Sequence, residues 1–280
     1  YEKDNYYLKD EQGNALKPEL VGNGWEQLNA QGIEINEDVY KNLKEGKDPL
    51  TGELLVQSTS KGEHRPGYNF TFSPHKSFTV LAHSSDEYGK LINNIHEKAV
   101  ADTLNMLEKD LVQTRQSKDG VVSPVRTENL LAMKVDHQIN RDGDIQLHSH
   151  VVAFNMTFNK ENDKWQALHS DAFHSDLMTT AYNNQLAYHA KQAGLAVEFV
   201  KSDSGRTQYA AVAGVPEAAI EATSERAKQV DAYLETHREE LKEKYPNATE
   251  GELKQYAAYA TRPAKRAMTQ NQITDQFTEK

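Results

Sequence analysis

The 280-residue sequence contains no cysteine. Disulfides, thiolate metal sites and cysteine nucleophiles are therefore excluded together, and a bound metal would have to take nitrogen or oxygen ligands. Long apolar runs are missing as well, since none approaches the ~18 to 20 residues that span a bilayer. The opening YEKDNYYLKDEQG is polar and acidic where a signal peptide would be apolar. These absences imply a chain without a membrane segment that works in the cytoplasm, and the start at Tyr1 reads as that of a fragment cut from something longer. There is no internal repeat, no low-complexity tract, and no regular βαβα alternation of the kind that builds a parallel sheet. The length allows one large domain or two modest ones, so a sizeable buried core is available.

Positive charge is in short supply. Lys and Arg number 32 against 42 Asp and Glu, a formal net charge of -10. On totals this argues against a nucleic-acid partner, because affinity for phosphate comes largely from Lys and Arg. The acid is concentrated, however, in DAYLETHREELKEKYPNATEGEL at 231–253, while STSKGEHRPG at 58–67 and ATRPAKRAM at 260–268 are locally basic. A nucleic-acid contact on one face stays open.

What is present is a series of well-marked elements. Tyr68, Phe70 and Phe72 alternate with Asn69 and Thr71, the period of a half-buried strand. Ser73 then reads as an N-cap with Pro74 at the first helical position. Leu91, Ile95, Ala99, Leu104 and Leu107 recur at helical spacing and predict a long amphipathic helix over 86–111. Strand-like runs follow at 111–115, 121–126 and 129–138, with a fourth at 145–157. Residues 176–195 read as helix, 196–213 as a hairpin, and the remainder as three helices. Consecutive antiparallel strands set apart from long helices predict an α+β fold with helices on one face of the sheet. Residues 1–213 read as one compact unit and 214–280 as a helical extension of it.

The stretch HQINRDGDIQLHSHVVAFN, residues 137–155, gathers three imidazoles. Alternation along a strand puts His148 and His150 on one face, about 7 Å apart, together with Val152, Phe154 and Met156. In the preceding strand Leu131, Met133, Val135 and His137 share a face. The Asp-Gly step in NRDGD is a strong hairpin signal, and pairing through it would lay His137 across from the other two. A lone strand histidine is usually structural, but three neutral imidazoles can hold a divalent ion without cancelling its charge. The ion then stays a Lewis acid with open positions for anionic oxygen, which suits a phosphate diester. Each imidazole's second nitrogen calls for a carboxylate, carbonyl or water, and Asp136, Asp142 and Asp144 are the nearby candidates. The other eight histidines have no partners at useful spacing.

The opening YEKDNYYLKD is the second unusual stretch. By composition it is a surface loop with aromatic anchors at Tyr1, Tyr6 and Tyr7. A phenol attacks usefully only if its pKa is lowered or its proton is removed in the transition state; holding it ionised at pH 7 otherwise costs roughly 4 kcal/mol. A nearby cation supplies that help, so the tyrosine and histidine signals explain each other if the fold joins them.

These residues resemble the MobF-type relaxases of conjugative plasmids, the TraI and TrwC kind, within the HUH endonuclease group. The segments that carry the likeness are YEKDNYYLKD, VGNGWEQL, HRPGYNFTFSPHKS, DHQINRDGDIQLHSHVVAFNMT, AYNNQLAYHAKQAGL and ATRPAKRA, in that order over nearly the whole chain. The resemblance implies a two-layer, palm-like antiparallel sheet with helices packed on it and a C-terminal helical extension that closes over single-stranded DNA. It makes 1–213 the catalytic core, truncated at its amino terminus, and 214–280 the extension of the same relaxase domain. It implies that a tyrosine attacks one phosphodiester of transfer-origin DNA, leaving a free 3'-hydroxyl and a 5'-phosphotyrosyl bond that is later rejoined. The motif match gives the metal roles to His137, His148 and His150, for Mg or Mn, with Zn, Ni or Cu as further options. DNA contacts are expected at Arg141, Lys76 and Arg65, and a helicase is expected further along the parent chain.

Two departures from the family pattern matter. Tyr6 and Tyr7 match the second of two tyrosine pairs, whereas Tyr1 matches the last member of the first pair, so the principal nucleophile and the strand before it are expected to be missing. Asn69 stands where the family has an aspartate that orients a metal histidine and assists deprotonation of the tyrosine; an asparagine cannot take up a proton. The alternative reading is accordingly a catalytically impaired single-stranded DNA-binding module of the same fold. A cupin-type metalloenzyme, a third reading from the H-x-H motif, requires short strands throughout and conflicts with the helices at 86–111 and 176–195.

Overall fold

The structure is a computed structural model and describes residues 16–56, 65–140, 143–169, 173–202, 205 and 207–262. Its elements in chain order are β1 (Glu19–Val21), α1 (Gly24–Gln27), α2 (Glu37–Lys44), β2 (Gly67–Phe72), α3 (Lys76–Ala82), α4 (Asp86–Asp110), β3 (Gln113–Lys118), β4 (Val121–Arg126), β5 (Ala132–Ile139) and β6 (Ile145–Phe154). There follow β7 (Thr157–Asn159), β8 (Lys164–Gln166), α5 (Ser175–Gln192), β9 (Val197–Lys201), β10 (Gln208–Val212), α6 (Glu217–Ala222), α7 (Glu225–Lys244) and α8 (Glu250–Ala260). The expected mixture of long helices and antiparallel strands is thus what forms, an α+β chain. Among the described residues no helix is long and apolar enough to cross a membrane.

The main sheet has four strands in the order β1-β5-β6-β2. The strand-like runs at 111–115 and 121–126 do not join it. They become β3 and β4, a two-stranded sheet of their own turned by Asp119 and Gly120, both at positive φ. The fourth run also ends sooner than expected, at Phe154, and Thr157 begins a separate β7–β8 hairpin.

Contacts divide the chain into two compact units: Tyr1–Phe72, Val100–Asp136 and Ser149–Met178 in the first, Ser73–Ala99, His137–His148 and Thr179–Lys280 in the second. The first unit contains a core in which Leu131 and, on β5, Met133 and Val135 meet Val152 and Phe154 of β6 and Met156, all buried, under Trp25 of α1 and Val39, Tyr40 and Leu43 of α2. These are the strand positions that alternation assigned to one face in each strand. The Trp25 ring packs edge-on to Phe154, and its indole N–H donates to the Ala132 carbonyl at 2.8 Å, so the polar end of this large apolar group is not left without a partner. Gly22 makes the approach possible. At φ 92° it turns the chain so that Gly24 N–H reaches the Leu130 carbonyl, and a Cβ there would lie 2.1 Å from that oxygen. Glu108 of α4, buried, fastens the same corner by accepting from the backbone N–H groups of Asn23 and Leu130.

In the second unit, α3 is capped by His75 rather than by Ser73: the His75 ring nitrogen accepts from Ser77 N–H, while Ser73 donates to the Leu147 carbonyl and accepts from Gln146. The competing acceptor on β6 draws the serine away from the cap. Ser77, buried, also accepts from Val212 N–H and so joins α3 to β10. On α4 the buried positions include Ile92 and Ile95, with Leu91 only half-buried. His96 of α4 is also buried and bonds the Tyr182 hydroxyl of α5 at 2.7 Å; burial raises that phenol well above its ordinary range. The helices α7 and α8 have their own small core of Val230, Leu234, Leu241, Leu253 and Ala257.

Candidate functional site

The antiparallel pairing of β5 with β6 brings His137 and His148 together. Their rings stack with centroids 5.2 Å apart and planes 17° from parallel. Phe154 N–H donates to the Leu131 carbonyl and Ser149 Oγ to Asp136. Each of these contacts, like the ring stack, joins residues directly opposite one another in a single register. The turn between the strands is closed by Asn140 N–H donating to the Asp144 carbonyl, with Gly143 at φ 84°. The Asp-Gly signal thus marks a real turn. His150 lies two residues beyond His148 on β6, which gives it the same face of that strand. All three imidazoles are buried. No group of three or more His, Asp or Glu side chains in metal-holding geometry forms among the described residues.

A backbone carbonyl and a hydroxyl orient two of the rings. His148 Nδ1 lies 2.8 Å from the Gln146 carbonyl. A carbonyl only accepts, so Nδ1 carries a proton, and in the neutral imidazole Nε2 keeps the lone pair that a metal would use. His150 Nδ1 is 3.1 Å from the Thr71 hydroxyl on the neighbouring β2. Asp136 projects to the other face of β5 from His137 and pairs instead with Lys134 and Ser149. Desolvation pulls the buried Lys134 ammonium down, but Asp136 and Glu19 together hold it above its usual range. Asp144 is drawn to α7, where its carboxylate accepts from Glu225 and Arg226 N–H. Asp142 lies outside the described residues. The chemistry of this donor set, three imidazoles of which one presents its Nδ1 proton to a carbonyl behind it, fits a divalent cation.

Asn69 is exposed on β2, opposite Val152, on the same strand face as Thr71. The hydroxyl two residues on, not Asn69, reaches His150. Sequence reasoning passed over Thr71, although the strand alternation that places Asn69 gives Thr71 the same face. Tyr1, Tyr6, Tyr7 and Arg141 lie outside the described residues. Arg65 is exposed, stacks over the Tyr68 ring at 5.2 Å, and Tyr68 in turn meets Phe173. Lys76 is the first residue of α3, and its ammonium donates to the Ile145 carbonyl at 2.6 Å. The β3–β4 ribbon was also not anticipated as a surface. It exposes Val121, Val122 and several polar side chains, with Arg115, Lys118 and Arg126 along it.

Over residues 1–280 the chain matches the family model for the TrwC relaxase. The multifunctional conjugation protein TraI of Escherichia coli strain K12 is 34% identical over 188 residues, 67% of this chain and 10% of that protein. A second Escherichia coli TraI is 36% identical over 170 residues, 61% and 9% of the two chains. The chain thus spans about a tenth of the length of these relatives. A metal-bound structure of the conjugative relaxase TrwC in complex with oriT DNA superposes with a TM-score of 0.78 at 25% identity, covering 99% of this chain and 90% of that one. A copper-bound TrwC complex with the same kind of DNA gives 0.78 at 26% identity, over 94% and 86%. The α+β architecture is therefore that of the relaxases. This chain belongs to the TrwC relaxase family.

Proposed function

We infer that this chain is the strand-nicking part of a conjugative relaxase, cutting one strand of transfer-origin DNA and rejoining it. The stacked His137–His148 pair, with the His148 ring held from behind by a backbone carbonyl, on the sheet of a TrwC-family chain carries this reading. His137, His148 and His150 hold a divalent cation, Mg or Mn in the first instance; imidazole donors also suit Zn, Ni or Cu. Metal-bound and copper-bound TrwC complexes support the metal requirement. When bound, the ion polarises the scissile phosphate and offsets charge on its oxygens. Gln146 and Thr71 keep the His148 and His150 rings turned to their task.

A phenol among Tyr1, Tyr6 and Tyr7 attacks phosphorus: the Oη–P bond forms, the bond from phosphorus to the 3'-oxygen breaks, and the phenolic proton leaves with solvent or a nearby base. The phosphotyrosyl bond keeps a good leaving group, so the strand can be rejoined rather than hydrolysed. Arg141, Lys76 and Arg65 contact the DNA, and the 214–280 extension closes over it. This part acts in the cytoplasm, and the parent protein continues into a helicase; the multifunctional TraI relatives, of which the matched stretch is 10%, support that continuation.

Asn69 favours a second reading, a binding module without cleavage, because an amide cannot accept the phenolic proton. Incubation with a labelled single-stranded transfer-origin oligonucleotide, with and without manganese, separates the two. The expected outcome is a covalent 5'-linked adduct that forms only with metal; tight binding with no adduct under any metal would transfer the case to the binding module.

A further inference from the structure

The second unit contains a cleft of about 500 Å³ that the histidine chemistry does not use. Its walls come from three places: the β5–β6 turn and the start of β6 (Asn140, Asp144, Gln146), the first residue of α3 (Lys76), and the α7–α8 pair. The composition of the lining is specific. Three cations, Lys76, Arg226 and Lys254, stand at it against a single carboxylate, Asp144. The carboxylate's charge is already engaged, since Asp144 accepts from Glu225 and Arg226 N–H and from the Asn140 amide. In a chain of net charge -10 this is a cationic island.

The cations are not equivalent. Arg226 is fixed, its guanidinium donating to the Ala258 and Thr261 carbonyls at the end of α8. Lys76 rests on the Ile145 carbonyl. Lys254 is paired with Asp231 at 3.1 Å, but that pair is largely exposed, and an exposed pair of this kind is held by little energy, so the ammonium can turn to an arriving anion. Between the cations the wall is apolar, from Ala227, Val230, Gly251 and Ala258, and the amides of Asn140 and Gln255 edge it. Anionic-group donors, a flat apolar floor and amides that both donate and accept are what one unstacked nucleotide needs.

We propose that this cleft holds a single nucleotide unit of the bound DNA strand, its phosphate at Lys76 and Lys254 and its base against Ala227, Val230 and Ala258, with Gln255 reading the base edge. The proposal rests on the single-strand reading above and adds a subsite to it. Its test uses the whole chain. Lys254→Ala removes one phosphate partner from an exposed helix position; oligonucleotide affinity is expected to fall three- to tenfold and the log–log salt slope to become shallower by roughly 0.7, with Lys254→Arg restoring both. Titration of the wild type with thymidine monophosphate should shift the amide resonances of Gly251, Gln255 and Ala258, and inorganic phosphate should shift them less. Unchanged affinity and slope in Lys254→Ala, together with unmoved amides, would overturn the subsite; equal shifts with inorganic phosphate would reduce it to an anion site and overturn the nucleotide assignment. The monophosphate titration decides the cleft even if the wild type binds no oligonucleotide, a result that would instead count against the functional reading.

Discussion

Thr71 is a small residue with a large assigned task. Its hydroxyl is the group on β2 that reaches His150 Nδ1, and partners behind metal-ligating imidazoles typically change metal affinity 10- to 100-fold when removed. Valine keeps the branched shape that a strand favours and deletes only the hydroxyl. Thr71→Val is therefore expected to weaken metal binding by about tenfold or more, measured by isothermal titration, while the thermal unfolding midpoint stays near that of the wild type. Equal metal affinity in the two proteins would remove Thr71 from the site.

Glu108 makes a different kind of statement. Desolvation, helped by the Glu26 charge, raises its carboxyl pKa against the lowering by its two backbone hydrogen bonds. A carboxyl whose folded pKa lies above its unfolded value favours the folded state at low pH and loses that contribution as pH rises through the folded pKa. Glu108→Gln keeps an oxygen for the Asn23 and Leu130 N–H groups but never ionises. Its stability relative to the wild type should accordingly increase from pH 4 to pH 8, as read by urea denaturation at each pH; a difference that shrinks over that range would contradict the assignment.

At the scale of elements, α7 begins without help from its own N-cap. Ser224 occupies that position, but its hydroxyl donates back to the Ile220 carbonyl and caps nothing in α7. The missing acceptor comes from 81 and 82 residues away in sequence, the Asp144 carboxylate, which also favours the positive end of the helix. Asp144→Ala should cost about 1 kcal/mol at that turn. Hydrogen exchange is the direct probe: the Glu225 and Arg226 amides should exchange faster, with little change in the β3–β4 ribbon.

Elements were the part of the fold most legible in the sequence, because period alone reports burial. The alternation of Tyr68, Phe70 and Phe72, the helical spacing of Ile95, Ala99 and Leu104, and the Asp-Gly turn each reappear as β2, α4 and the β5–β6 connection. The errors arose where local signals met a distant competitor. Ser73 lost its cap role to an acceptor on β6, and the strand-like run at 121–126, itself mostly exposed, paired only with β3. Asp144 was legible as a carboxylate near the histidines, but nothing local reveals that a helix 81 residues later would claim it.

For the molecule as a whole, the histidine spacing was informative because strand alternation and one turn convert it directly into the His137–His148 stack. The partners behind the rings were less so, since Gln146 acts through its backbone and Thr71 comes from a strand remote in sequence. Charge misled most at this scale: the total of -10 points away from nucleic acid, while the family match and the cationic cleft point toward it. Native mass spectrometry of the metal-loaded chain tests the central claim most directly. The wild type is expected to carry one divalent ion, and His137→Ala, His148→Ala and His150→Ala are each expected to lose it while remaining folded by circular dichroism. Retention of the ion at wild-type affinity by any one of the three would contradict the claim that these imidazoles hold the metal.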